Sequence, residues 1–224
     1  MTADWDAATY ERVADPQSEW AREIVARAAI QPGQLVLDAG CGGGRVTQQL
    51  LELTPNVIAV DADAAMVDQA RSKLPKSVTV IHQSLLDLEL DEPVDVVFSC
   101  AVFHWITDHE RLFERLHRVL KPGGRLVAQC GGQGNIQNVL DIVGERPGRW
   151  LYARPEDTEE RLARAGFETA RAWLEPKRTS VPDMPTFIAT VILHEDPDAR
   201  ATAERVAAQI DHIDYVRLNI EATA

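Results

Sequence analysis

The seven residues Asp38-Ala39-Gly40-Cys41-Gly42-Gly43-Gly44 follow directly on the apolar run Leu35-Val36-Leu37 and lead into a helical stretch at 45–53. A short, continuous apolar run is the pattern of a strand buried on both faces. Glycines at 40, 42 and 44 allow positive φ and let the backbone approach a ligand closely. The helix N-terminus behind them offers free N–H groups and a positive dipole end, which favours a carboxylate or a phosphate. In an open α/β sheet, ligands sit beyond the carboxyl ends of the strands, so this turn is the first place to look for one.

The rest of the chain repeats the pattern. Residues 5–29 read as helix, ended by Pro32-Gly33. Val57-Ile58-Ala59-Val60 is a second buried strand, closed by Asp61, and 64–74 is helical. Further strands are expected at 78–81, 94–99 and 125–130, with a helix over 109–120 stopped by Lys121-Pro122-Gly123-Gly124. The tail predicts a helix at 155–165, a strand at 167–174, a helix within roughly 185–210 and a last strand near 215–220. Short apolar strands alternating with helices mean a parallel sheet covered on both faces, an α/β fold.

Spacing narrows the ligand. A dinucleotide turn reads G-x-G-x-x-G/A, and the last position here is Arg45. No Gly-Lys-Ser/Thr of a P-loop exists in the chain. Asp61 stands about twenty residues beyond the turn, where a carboxylate can accept from both hydroxyls of a ribose. A surface Asp opening a turn is the plainer reading, and the coincidence with the glycine turn weakens it.

Composition sets outer limits. A chain of 224 residues, 45% hydrophobic and 26% charged, fits one soluble globular domain. No basic and apolar leader opens it and no apolar run is long enough to span a membrane, so a cytoplasmic location is expected. A net charge of −12 argues against a nucleic-acid partner. The imbalance is local: residues 1–110 hold 18 acids and 7 bases, leaving 17 and 16 for 111–224, so an anionic small substrate remains open. Cys41, Cys100 and Cys130 have no zinc-ligand spacing and read as small buried thiols; no metal is expected.

Four ordered stretches resemble class I S-adenosylmethionine-dependent methyltransferases. Leu35 to Gly44 is similar to their first motif and Val60-Asp61-Ala62-Asp63-Ala64-Ala65-Met66 to the acidic loop after the second strand. Val94-Asp95-Val96-Val97-Phe98-Ser99 is similar to their fourth strand, and Arg118-Val119-Leu120-Lys121-Pro122-Gly123-Gly124-Arg125-Leu126 to the stretch before the fifth. Weaker similarity to the trans-aconitate methyltransferase-like branch runs through Phe103-His104-Trp105 and Ala165-Gly166-Phe167.

The resemblance implies a Rossmann-like, seven-stranded, mostly parallel sheet whose last strand runs antiparallel. It implies one domain over 1–224, with an N-terminal helical lid at 1–30, a cofactor-binding core at 31–135 and a substrate-side loop and C-terminal strands at 136–224. It implies S-adenosyl-L-methionine as cofactor and S-adenosyl-L-homocysteine as product, held by Asp38, Gly40, Gly42, Gly44, Asp61, Ala62, Met66, Ser84, Leu85 and Cys100. Ser84 occupies the place of an acid that usually reads the adenine amino group, with Asp87 the alternative nearby.

Methyl transfer is an in-line displacement needing alignment more than side-chain chemistry. The acceptor is expected to be a small molecule, methylated on a carboxylate or hydroxyl oxygen. An N- or C-methyltransferase, or a non-methylating binding module of pericyclase-like or regulatory kind, stays open. His104 is a candidate general base or orienting donor, set against a structural histidine. Tyr10, Trp20, Phe103, Trp105, Arg149 and Trp150, with Tyr152 and Arg154 beside them, are candidate acceptor contacts, set against core packing. The glycine cluster 131–134 with Asn135 can shape the same pocket. The short stretch between it and Pro155 leaves little room for a large cap, so the expectation is a small acceptor and a monomer or homodimer.

Overall fold

The computed structural model describes residues 15–145, 148–194 and 196–224, with side chains from residue 20 onward. A helix α1 (Asp15–Ala28) precedes β1 (Val36–Ala39), α2 (Arg45–Leu51), β2 (Val57–Asp61), α3 (Ala64–Lys73) and β3 (Thr79–His82). Then come β4 (Val94–Cys100), α4 (His109–Arg118), β5 (Leu120–Gly131), α5 (Gln137–Val143) and α6 (Pro155–Ala165). The chain closes with β6 (Thr169–Thr179), a helical turn α7 (Met184–Phe187), a π-turn at Ile188–Ile192, α8 (Ala199–Ala207) and β7 (Ile213–Thr223).

The strands form one sheet in the order β3-β2-β1-β4-β5-β7-β6. Pairs from β3 through β5 are parallel, while β7 runs antiparallel to both β5 and β6. Strand order reverses between β1 and β4, which opens a crevice at their carboxyl ends. The glycine turn after β1 stands at that reversal.

Apolar residues cover both faces. On one side Ile24, Val25 and Ala28 of α1 and Leu50 of α2 pack on Val36, Val57, Val96 and Phe98. On the other, Leu112, Phe113 and Leu116 of α4 and Leu162 of α6 pack on Leu37, Val97 and Leu126. Each such fully buried side chain contributes about 1.5–3 kcal/mol. A third cluster joins α5, α7, the π-turn and α8 through Val139, Phe187, Ile188 and Val206, with Trp20 and Tyr215 at its base. Among the described residues no helix is long and apolar enough to cross a membrane.

Three elements differ from the sequence reading. The strand expected at 125–130 begins at Leu120, because Leu120 already pairs with Val94 before a register shift. The sixth strand extends to Thr179 through Glu175-Pro176-Lys177-Arg178, a polar stretch with a proline that an edge strand tolerates. The helix expected within 185–210 is broken into α7, the π-turn and α8. Pro197 cannot donate to a continuous helix there.

Candidate active site

The turn after β1 is built by its glycines. Gly40 has φ +87°, and a Cβ on it would lie 2.2 Å from Val102 Cγ2, so nothing larger fits. Gly42 also has positive φ, but a Cβ there would meet nothing within 4 Å, because it faces open space. The amides of Gly40 and Cys41 both donate to Val60 O, pinning the turn to β2.

The end of β2 then locks onto the turn. Gly42 N–H donates to Asp61 Oδ2 at 2.8 Å, and Asp63 N–H donates to Oδ1 at 2.9 Å. Burial pushes the Asp61 carboxyl above its ordinary value, while backbone donors, those of Asp63 and Gly42 foremost, oppose the rise. Asp63 in turn caps α3 by accepting from Met66 N–H.

A cavity of about 800 Å³ opens over these residues, within the range of small-molecule sites. Gly40, Gly42, Asp61, Ala62, Met66, Ser84, Leu85 and Cys100 line it at one end. The fit to the expected nucleoside is chemical as well as spatial. Gly42 leaves backbone room, and each Asp61 oxygen, with one backbone donor, keeps a lone pair for a hydroxyl.

Two residues expected here stand elsewhere. Asp38 is 1% exposed and lies beneath the turn, where Thr47 Oγ1 donates to its Oδ2 at 2.7 Å. Burial raises its carboxyl to about 7. Gly44 packs against Leu74 as the residue before α2 and its amide donates to Cys41 O, so it also stays out of the cavity. Ser84 lines the cavity while its Oγ accepts from Leu86 N–H. Asp87 stands outside the lining, its carboxylate paired with Arg111.

Beyond Cys100 the chain turns through a 3-10 helix, Phe103–Trp105. Phe103 is a core residue, edge-on to Phe113 at 6.0 Å, and forms no wall. His104 and Trp105 do line the cavity. His104 Nδ1 accepts the amide of Gly131 at 3.3 Å. A neutral imidazole that accepts at Nδ1 carries its proton on Nε2. Burial, reinforced by the charges of Arg217 and His109, holds His104 well below the usual histidine range. In this arrangement it is a neutral imidazole with its donor at Nε2.

Aromatic rings enclose this end. Tyr152 stacks between His104 at 6.0 Å and Trp150 at 5.7 Å, and Trp105 meets Trp150 at 5.9 Å. Arg149 lines the cavity, yet its guanidinium pairs with Asp196 at 2.7 Å and donates to Ile192 O. Arg154 pairs with Asp157 away from the cavity. Trp20 packs edge-on against Tyr215 in the third cluster and is not a lining residue. Tyr10 lies outside the described residues.

The sequence reading missed part of the wall. Val191, Ile192 and His194, from the π-turn and its exit, reach the cavity, as do Tyr215 and Arg217 of β7. The cap is thus assembled from two separate segments, the stretch between β5 and α6 and the connection between β6 and β7, which the length of the first alone could not reveal. Asn135 and Ile136, beside the glycine cluster, line the same space.

Comparison with known proteins agrees with this fold. A family described as "Methyltransferase domain" matches residues 37–128. A trans-aconitate 2-methyltransferase of Methylobacterium nodulans is 32% identical over 179 residues, covering 77% of this chain and 67% of the relative. Across eight curated relatives, this one included, the match spans 49% to 70% of their own length. The YcgJ protein of Bacillus subtilis superposes with a TM-score of 0.69 at 15% identity, over 91% of this chain and 97% of that one. A phosphoethanolamine N-methyltransferase 2 of Haemonchus contortus, solved with phosphomonomethylethanolamine and S-adenosylhomocysteine, gives 0.65 at 21% identity, over 92% and 52%.

Proposed function

The chain belongs to the class I S-adenosylmethionine-dependent methyltransferases, in their trans-aconitate methyltransferase-like branch, and from that premise we propose that it methylates a carboxylate oxygen of a small molecule. The observation that carries this reading is the bond from Gly131 N–H to His104 Nδ1. It leaves the only histidine of the 3-10 turn as a donor. An ionised carboxylate needs no base to become a nucleophile and accepts readily from an N–H, whereas a phenol or an ammonium must first lose a proton.

When bound, S-adenosylmethionine supplies a methyl group already activated on a sulfonium, so transfer requires alignment rather than proton removal. In this reading Asp61 accepts from the ribose, and the backbone at Gly40 and Gly42 follows the methionine part. Ser84 and Leu85 flank the base. His104 Nε2–H holds an acceptor oxygen, and Trp105, Trp150 and Tyr152 keep water away from it. The name of the Methylobacterium relative points to the same chemistry.

The test is a labelled-methyl assay over carboxylic acids, phenols and amines, read as labelled product together with S-adenosylhomocysteine. Labelled esters from the acids alone are expected. Labelling of amines or phenols with none of the acids would overturn the oxygen-of-carboxylate reading.

A further inference from the structure

Arg217 lies on β7 opposite Gly131 of β5. It is 2% exposed and lines the cavity. Its Nε donates to Gln129 Oε1 at 3.3 Å, and its guanidinium carbon sits 5.3 Å from the Trp20 ring centre and 5.9 Å from that of Tyr215. All three partners are neutral. Among the described residues no carboxylate pairs with it, although Arg149, which also lines the cavity, pairs with Asp196, and Arg27 pairs with Glu221.

A buried guanidinium without a counter-charge is costly, and rings over its face offset only part of that. The distribution of charge in the cavity says where the missing anion belongs. The lining acids, Asp61 and Asp63, both stand at the β2 end. Arg217 stands four strands away, about 19 Å at ordinary strand spacing. Its charge also reaches the reacting region, helping to hold His104 neutral and opposing the effect of burial on the Cys100 thiol and the Tyr152 hydroxyl.

We propose that Arg217 is the specificity-determining receptor for an anionic group of the acceptor, distinct from the oxygen that takes the methyl. This rests on reading the cavity as a methyl-acceptor site. Arg149 and Arg154, the arginines the sequence put forward for this task, are committed to Asp196 and Asp157. Among the described residues that line the cavity, Arg217 is the arginine without a paired carboxylate, and a planar fork suits a carboxylate better than a point charge does.

The experiment compares wild type with Arg217→Met and Arg217→Lys. Glutarate, tricarballylate and trans-aconitate, each paired with its monoamide, are titrated into protein saturated with S-adenosylhomocysteine. Wild type is expected to prefer at least one acid over its monoamide by roughly 10-fold or more, and Arg217→Met to lose roughly 30-fold or more in affinity for that acid. S-adenosylhomocysteine affinity is expected to stay within about twofold of wild type. Arg217→Met is expected to melt no lower than wild type, because a receptor held ready for an absent anion is not a stabilising contact.

A wild type that never discriminates acid from monoamide overturns the proposal, as does acid binding that survives Arg217→Met. A fall in S-adenosylhomocysteine affinity that matches the loss for the acid assigns Arg217 to the cofactor's own carboxylate and overturns it too. If both variants melt well below wild type, the residue is structural and the proposal fails. Acids that bind through Arg217 yet never accept labelled methyl overturn the proposed function while leaving the receptor in place.

Discussion

Gly42 N–H and Asp61 Oδ2 meet at 2.8 Å, so the glycine turn and the acid proposed to face the ribose are one unit. The second oxygen is taken by Asp63 N–H. Asn at this position must therefore turn its NH2 toward a donor on one side or the other. Asp61→Asn is expected to weaken S-adenosylhomocysteine about as much as Asp61→Ala, by roughly 10- to 100-fold, the range for hydrogen bonds to charged groups. Calorimetric titration checks it, and an Asn variant binding within twofold of wild type would refute the locked arrangement.

Gly40 and Gly42 make a contrasting pair. A Cβ at Gly40 strikes Val102, and one at Gly42 meets open space. Gly40→Ala carries both steric overlap and positive-φ strain and is expected to destabilise by about 2–4 kcal/mol. Adding Val102→Ala is expected to restore part of that loss, since only the overlap is relieved. Gly42→Ala is expected to cost stability by only about 1 kcal/mol and act mainly on cofactor affinity. Chemical denaturation of the four proteins decides it; equal losses at both glycines would contradict the geometry.

How much of this was legible depended on whether a residue's surroundings follow from its neighbours in sequence. β1, β2 and β4 are apolar runs because parallel strands are covered on both faces, and the turns at their carboxyl ends carry the residues proposed to hold the cofactor. Helix α6 announced itself through Pro155 at its start and Gly166 just past its end. Arg217 did not. Tyr215-Val216-Arg217-Leu218-Asn219 alternates as if one face met water, and only the insertion of β7 between β5 and β6 brings its polar residues under cover. His194 was hidden for a related reason, since its loop reads as polar connection until the π-turn packs onto the third cluster.

Asp38 yields a prediction in pH. Its carboxyl is raised from 3.8 to about 7, chiefly by burial, so folding favours its protonated form. Its contribution to stability is full below the unfolded value and is lost as pH rises through about 7. Asp38→Asn keeps an acceptor for Thr47 and never ionises. Relative to wild type it is expected to be near neutral at about pH 4 and stabilising by roughly 2–4 kcal/mol at about pH 8. Denaturation curves at several pH values test the trend, and a wild type–variant difference independent of pH would rule out a buried ionisable Asp38.

His104 gives the sharpest test of mechanism, because a base and a donor respond oppositely to pH and to substitution. A base near the ordinary histidine range would be protonated as pH falls, and the rate would fall with it. A residue held neutral far below that range donates unchanged, so kcat/KM for a carboxylate acceptor is expected to stay level from about pH 8 to about pH 6. His104→Gln can place an NH2 near the position of Nε2 and is expected to stay within about 10-fold of wild type. His104→Phe fills the space without a donor and is expected to lose roughly 10- to 100-fold, with S-adenosylhomocysteine affinity unchanged. An acidic limb near pH 6.5 that disappears in His104→Gln would restore the base and remove the argument for a carboxylate. A level profile with Gln active and Phe impaired is what the bond from Gly131 requires.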